Sequence, residues 1–130
     1  MIVIDASCVV DLVTQSTDAA AIEARLARET GRVHAPQLLD LEVLHAVRTL
    51  ERTRQLAPER ADRAVALLLT FSARRWSHRR LRVRTWGLRH NLTAHDATYV
   101  ALAERLGCVV LTRDAKLARA PGLKGRVELI

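Results

Sequence analysis

Aromatic side chains are almost missing from this chain: two tryptophans, one tyrosine and one phenylalanine in 130 residues. With so few of these rings the chain lacks the stacking platform common in single-strand RNA binders, and any RNA contact would lean on arginine and be salt-sensitive. Cysteine is equally scarce. Cys8 and Cys108 do not make a disulfide framework. They are expected at opposite ends of a parallel sheet, as small buried hydrophobes. No apolar run approaches the ~20 residues needed to cross a membrane. The first apolar run reaches Asp5 after three residues, too short for a signal-peptide core. A cytoplasmic location with no membrane partner is the expectation. Internal repeats, low-complexity runs and linkers are also lacking, so residues 1–130 are expected to form one domain.

Acid is missing where base is densest. Between Ser72 and His95 there is no Asp or Glu, but there are seven arginines: Arg74, Arg75, Arg79, Arg80, Arg82, Arg84 and Arg89. The chain holds 21 Lys and Arg against 14 acids, for a net charge of +7, so this one segment accounts for the whole excess. An arginine-rich face suits a phosphate backbone, through long-range attraction and bidentate hydrogen bonds. The alternatives are a solvated helix face or a surface for an acidic partner.

Short β-branched runs alternate with longer helical stretches, which predicts an α/β fold, a Rossmann-like parallel sheet flanked by helices. Strands are predicted at Ile2–Ile4, Val33–Ala35, Val109–Thr112 and Val127–Ile130. Helices are predicted over Ser7–Val13, Asp18–Glu29 (broken by Gly31), Pro36 to about Arg54, from Pro58 onward, Asp96–Leu106 and Ala115–Arg119. The Pro36 helix is apolar nearly all round and therefore expected to be buried. The Pro58 helix carries Ala61, Val65, Leu68 and Leu69 at helical spacing. From Trp76 to Arg84 the pattern fits either a strand, through Leu81 and Val83, or a helix, through Leu81, Thr85 and Leu88.

Four carboxylates stand where a soluble fold has little use for charge. Asp5 ends the first apolar run, and Asp114 follows Val109-Val110-Leu111. Glu42 lies inside Leu38-Leu39-Asp40-Leu41-Glu42-Val43-Leu44, and Asp96 opens the helix that continues through Tyr99 and Val100. Burying several carboxylates together is costly unless a cation neutralises them. Residues at the carboxyl ends of parallel strands gather in one crevice, which should collect Asp5 and Asp114. Each aspartate has an alternative role as a helix cap, with Asp96 three residues after Thr93 in a capping-box spacing. Glu42, in mid-helix, has no such role, and its alternative is a salt bridge to a core arginine such as Arg48.

The converging ligands are all oxygen, and neither the histidines nor the cysteines show zinc-ligand spacing. Such a set suits Mg²⁺ or Mn²⁺. An ion of this kind activates water and neutralises charge on a phosphoryl group, which together with the arginines points to phosphodiester hydrolysis. Ser7 and Thr112 carry hydroxyls placed either to orient these carboxylates or to cap the local backbone. Asp40 falls on the other side of its helix from Glu42. His45, one turn from Glu42, is expected to be a satisfied core histidine.

Taken together, Val3-Ile4-Asp5-Ala6-Ser7, Leu41-Glu42-Val43, the run from Asn91 to Glu104 and Leu111-Thr112-Arg113-Asp114 resemble, in order and spacing, the PIN-domain ribonucleases, specifically the VapC-type toxins of bacterial toxin–antitoxin pairs. The resemblance covers nearly the whole chain. It implies a single PIN domain in which Asp5, Glu42, Asp96 and Asp114 form the catalytic Mg²⁺ site. It also implies metal-dependent endonucleolytic cleavage of RNA, homodimerisation, and inhibition by a cognate VapB-type antitoxin. Arg79, Arg80, Arg82 and Arg84 would dock the RNA backbone. One departure is His45, where many relatives carry Asn.

Other folds that gather acids around Mg²⁺ fit poorly. A receiver domain carries paired acids near the end of its first strand, and a haloacid-dehalogenase-like phosphatase carries Asp-x-Asp there, whereas Asp5 is followed by Ala6-Ser7-Cys8. The remaining alternative is a non-catalytic RNA-binding or regulatory module, which would bind RNA without metal and never cut it.

Overall fold

Ile2–Ile4 form the first strand, β1, and all three residues are sealed from solvent. A strand this short and apolar belongs at the centre of a sheet. In the computed structural model, which describes residues 1–29 and 32–130, the other strands are β2 (Val33–Pro36), β3 (Arg74–Trp76), β4 (Val109–Thr112) and β5 (Val127–Leu129). They lie in the order β3-β2-β1-β4-β5, and every neighbouring pair is parallel. The expected parallel α/β architecture is thus present. Ile2, Val3 and Ile4 sit opposite Val109, Val110 and Leu111. The chain adds β2 and β3 on one side of β1, then returns to the other side for β4 and β5. Winding reverses between β1 and β4, so a crevice opens beyond the carboxyl ends of those two strands.

The helices are α1 (Ala6–Thr14), α2 (Ala19–Leu26), α3 (Leu38–Arg52), α4 (Pro58–Thr70), α5 (Arg82–Gly87), α6 (Ala94–Leu106) and α7 (Ala115–Ala118). The start and stop of α6 are written in its sequence. Thr93 Oγ1 accepts from Asp96 N–H at 3.2 Å, and Gly107 closes the helix at φ +66°, a conformation that strains any residue with a Cβ. Ala97 to Ala103 are all buried, because α6 lies against β1, β2 and β4 while α5 packs beside it. Each fully buried side chain of the size of Val100 or Leu102 contributes ~1.5–3 kcal/mol. A second layer joins α1 to α3 and α4.

Several expectations need correction. Pro36 ends β2 rather than opening a helix; it sits opposite Trp76, and the next amide, Gln37 N–H, donates to the Trp76 carbonyl at 2.9 Å. The helix that follows is not buried all round. Leu39, Val43 and Val47 face the core, but Leu41 is 71% exposed and Leu44 lies at the surface. In α4, Ala61 and Leu68 are buried while Leu69 is 82% exposed. The segment that fitted either a strand or a helix resolves by part. Residues 74–76 form the edge strand β3, His78–Arg80 a 3₁₀ turn, and Leu81, Thr85 and Leu88 face inward from α5 as the helical reading required.

The Asp18–Glu29 helix appears as α2 followed by a 3₁₀ turn at Ala27–Glu29, and the break assigned to Gly31 lies outside the described residues. Both cysteines are free. Cys8 is fully buried, and burial pushes its thiol up to about 12, which leaves it an inert hydrophobe; Cys108 is half-buried. Among the described residues no helix is long and apolar enough to cross a membrane.

Candidate active site at the carboxyl ends of β1 and β4

Asp5 follows β1 directly, and its backbone N–H bonds to the Leu111 carbonyl of β4 at 2.9 Å. Asp5 is 8% exposed and its carboxylate caps nothing: α1 begins without a side-chain cap bond. Instead Oδ2 accepts from Ser7 Oγ at 2.6 Å and from Thr112 Oγ1 at 2.8 Å. Those hydroxyls are themselves tethered. Ser7 Oγ accepts from Arg113 N–H at 3.0 Å, and Thr112 Oγ1 accepts from Asp114 N–H at 2.9 Å. Ser7 and Thr112 therefore orient Asp5, joining the end of β1 to the β4–α7 turn. Oδ1 takes no protein bond among the described residues.

Glu42 reaches the same crevice from α3. Its Oε2 accepts from Tyr99 Oη at 2.5 Å, and its Oε1 lies 3.2 Å from His95 Nδ1. No salt bridge to Arg48 forms. Burial pushes the Glu42 carboxyl up, and the nearby charges of Asp5 and Asp96 push it further; Tyr99 and His95 pull it back. Acids from three separate segments thus meet at Glu42. Tyr99 is buried, and burial together with its bond to Glu42 drives its phenol far above the usual range, so it stays a donor.

Asp96 and Asp114 keep their capping roles. Asp96 Oδ2 accepts from Thr93 Oγ1 at 2.8 Å, closing the box that starts α6. Asp114 Oδ1 accepts from the amides of Lys116 and Leu117 at 2.7 and 3.4 Å, starting α7. Asp114 meets the group through Thr112, whose Oγ1 accepts its backbone N–H.

Among the described residues, no three His, Cys, Asp or Glu side chains are drawn together into a ready-made metal site. The donor set nevertheless fits a hard divalent cation: the oxygens are carboxylate, and Asp5 and Asp96 both push the Glu42 carboxyl up. Asp5 Oδ1 faces no competing protein donor, whereas Glu42 spends both oxygens on Tyr99 and His95. Holding an ion would therefore require Glu42 to give up part of that pairing.

His95 and Tyr99 are the contacts that sequence reasoning missed. Tyr99 stands on the same stripe of α6 as Asp96, which was the signal available. His45, expected in the core, is exposed, because its side of α3 faces solvent beside Leu41. The arginines divide. Arg84 is committed to Glu104, with Nε–Oε2 at 2.5 Å and Nη2–Oε1 at 2.9 Å, and Arg75 to Asp40 at 2.7 Å. Arg79, Arg80 and Arg82 are exposed and have no acidic partner among the described residues.

Residues 2–123 match the PIN domain family. Ribonuclease VapC1 of Mycobacterium tuberculosis (strain ATCC 25618 / H37Rv) is 40% identical over 129 residues, 98% of this chain and 96% of that protein. Ribonuclease VapC12 of the same strain is 39% identical over 131 residues, 100% of this chain and 99% of its own. Two solved structures share the fold. One is M. tuberculosis VapC20, described as a sarcin-ricin loop cleaving toxin (TM-score 0.69, 20% identity, 99% of this chain and 98% of that one). The other is PAE2754 of Pyrobaculum aerophilum (TM-score 0.68, 22% identity, 89% and 76%). The sheet order, the acid crevice and these full-length similarities lead to one conclusion: the chain belongs to the PIN-domain family, within its VapC ribonuclease branch.

Proposed function

We propose that this chain is a Mg²⁺-dependent endoribonuclease (Mn²⁺ substituting), the toxin of a type II toxin–antitoxin system, working as one PIN domain in the cytoplasm. The observation that carries the reading is the convergence of Asp5 and Glu42, with Asp96 close by, on one half-buried crevice where Asp5 and Asp96 push the Glu42 carboxyl up. Like-charged groups kept together at such a cost are the signature of a cation or proton-transfer site. Asp5, Glu42 and Asp96 would hold the ion, with Asp114 supporting from the β4–α7 turn. Bound there, a divalent cation would supply Lewis-acid stabilisation and activate water.

The chain's own residues do the rest. Ser7 and Thr112 fix Asp5, so that one oxygen faces the crevice. Tyr99 and His95 set the charge state of Glu42, which burial alone would leave protonated more often. Arg79, Arg80 and Arg82 would hold the phosphate backbone, while Arg84 serves Glu104. Exposed apolar side chains, Leu69 on α4 and Val83 on α5, are surface of the kind a second copy or a VapB-type antitoxin covers.

The test is incubation of the purified protein with cellular RNA in Mg²⁺ or in chelator, beside Asp5→Asn. Cleavage is expected only for wild type with metal. Cutting that survives chelation or the substitution would overturn the metal-dependent reading, and metal-independent RNA binding without any cutting would favour the non-catalytic module.

A further inference from the structure

One side of α3 is left over by this account. Leu38, Leu41, Glu42 and His45, with His95 at the start of α6, line a groove of about 620 Å³. That lies within the ~300–1,000 Å³ of sites that take small ligands. Glu42 belongs both to this groove and to the acid crevice, so the two are continuous. Outside the helix ladder, His45 is bonded among the described residues only through its carbonyl, which accepts from Thr49 Oγ1 at 2.9 Å. Its ring is free.

The rim is basic. Leu38 N–H donates to His78 Nε2 at 3.1 Å, which fixes the 3₁₀ turn His78–Arg80 against the start of α3 beside the groove. Arg79 and Arg80 are exposed there.

We propose that this groove is a nucleotide subsite that takes one unpaired RNA base beside the bond to be cut. The base would stack on the imidazoles of His45 and His95 between Leu38 and Leu41, with the adjoining phosphates on Arg79 and Arg80. Imidazole rings and guanidinium planes are the groups on which unstacked RNA bases settle. RNA fits this groove better than a protein partner, since its phosphates pair with the exposed Arg79 and Arg80 and its base with the free His45 ring. The identity of the ligand rests on the ribonuclease reading; the test does not.

Asp5→Asn protein is titrated with short single-stranded RNAs carrying one 2-aminopurine at successive positions. Fluorescence should change sharply at one position. His45→Ala in the same background should abolish that change and weaken binding about tenfold, the scale of one base–ring stack, while His45→Asn, which keeps a polar side chain without the ring, should behave like His45→Ala. His45 is exposed, and circular dichroism checks the fold. In active protein, the same substitutions should raise KM more than they lower kcat. A response spread over all positions, or unchanged affinity in His45→Ala and Leu41→Ala, would overturn the subsite. So would a Leu41→Ala protein that changes its mass in solution but binds RNA as before, since the groove would then belong to a protein partner. A position-specific response from a wild-type protein that cuts nothing would sink the ribonuclease reading and leave the subsite standing.

Discussion

Tyr99→Phe isolates one bond at the centre of the crevice. The Tyr99 hydroxyl is buried and donates to Glu42 Oε2 at 2.5 Å, and phenylalanine keeps the ring packing while deleting that single donor. A hydrogen bond to a charged group is worth ~1.5–3 kcal/mol. The Glu42 side chain is 24% exposed, so water can replace the lost donor, which places the cost near the lower end, about 1.5 kcal/mol. For a chain of this length that is a fall in Tm of about 6 °C. The bond also favours the ionised carboxylate and opposes the upward push of burial, so its removal lets the Glu42 pKa climb further. Its stabilising contribution is present in full while Glu42 is ionised, and shrinks as pH falls through the folded-state pKa of Glu42. Thermal unfolding should therefore show a larger Tyr99→Phe penalty at neutral than at acid pH. The acid limb of the pH–rate profile on a fluorogenic RNA should move to higher pH. A penalty that does not vary with pH, or an acid limb that stays in place, would refute this account of Glu42.

Glu42→Gln should cleave nothing yet melt higher than wild type at neutral pH. The raised pKa means that the folded chain binds this proton more tightly than the unfolded one, so stability is lost as pH rises through that window and stays lost above it; a lower Tm would contradict the burial cost. Thr112→Val removes the donor to Asp5 and the acceptor of Asp114 N–H together, and should cost ~1–3 kcal/mol in denaturant unfolding along with most of the activity, both restored by Thr112→Ser. Arg79→Ala with Arg80→Ala should flatten the salt dependence of RNA binding by about 0.7 log units per arginine lost. Arg84→Ala, whose guanidinium is held by Glu104, should leave that slope alone and cost under ~1 kcal/mol of stability; equal slopes for the two variants would show that the arginines do not divide as described.

What could be read from the chain was whatever is local. An apolar triplet with an acid at or soon after its end marks both β1 with Asp5 and β4 with Asp114, because strand direction in a parallel sheet fixes where such an acid emerges. The end of α6 was legible for the same reason, with Gly107 beside it, while its start lies at Ala94, two residues before the expected Asp96, because Thr93 caps it. What failed needed the third dimension. β3 is three residues of edge strand with two arginines, and an edge tolerates a polarity that hides the strand pattern. The apolar residues of α3 gave no sign of which would be covered, so Leu41 and Leu44 were misplaced. The pairing of Glu42 with Tyr99 joins residues 57 positions apart, and only the packing of α6 over the sheet brings them together.

The tether around Asp5 also makes that residue one-sided. A threonine or serine hydroxyl has a single proton, and here both protons point at Oδ2 while both hydroxyl oxygens are occupied by amides of the β4–α7 turn. The polarity of this small circuit runs one way, from backbone through hydroxyl to carboxylate. Asp5 therefore offers the crevice one oxygen and not two, and it can grip only from one end. Any ligand that tilts residues 113–114 also swivels that oxygen, so the turn works as the handle by which the rest of the molecule aims its first acid.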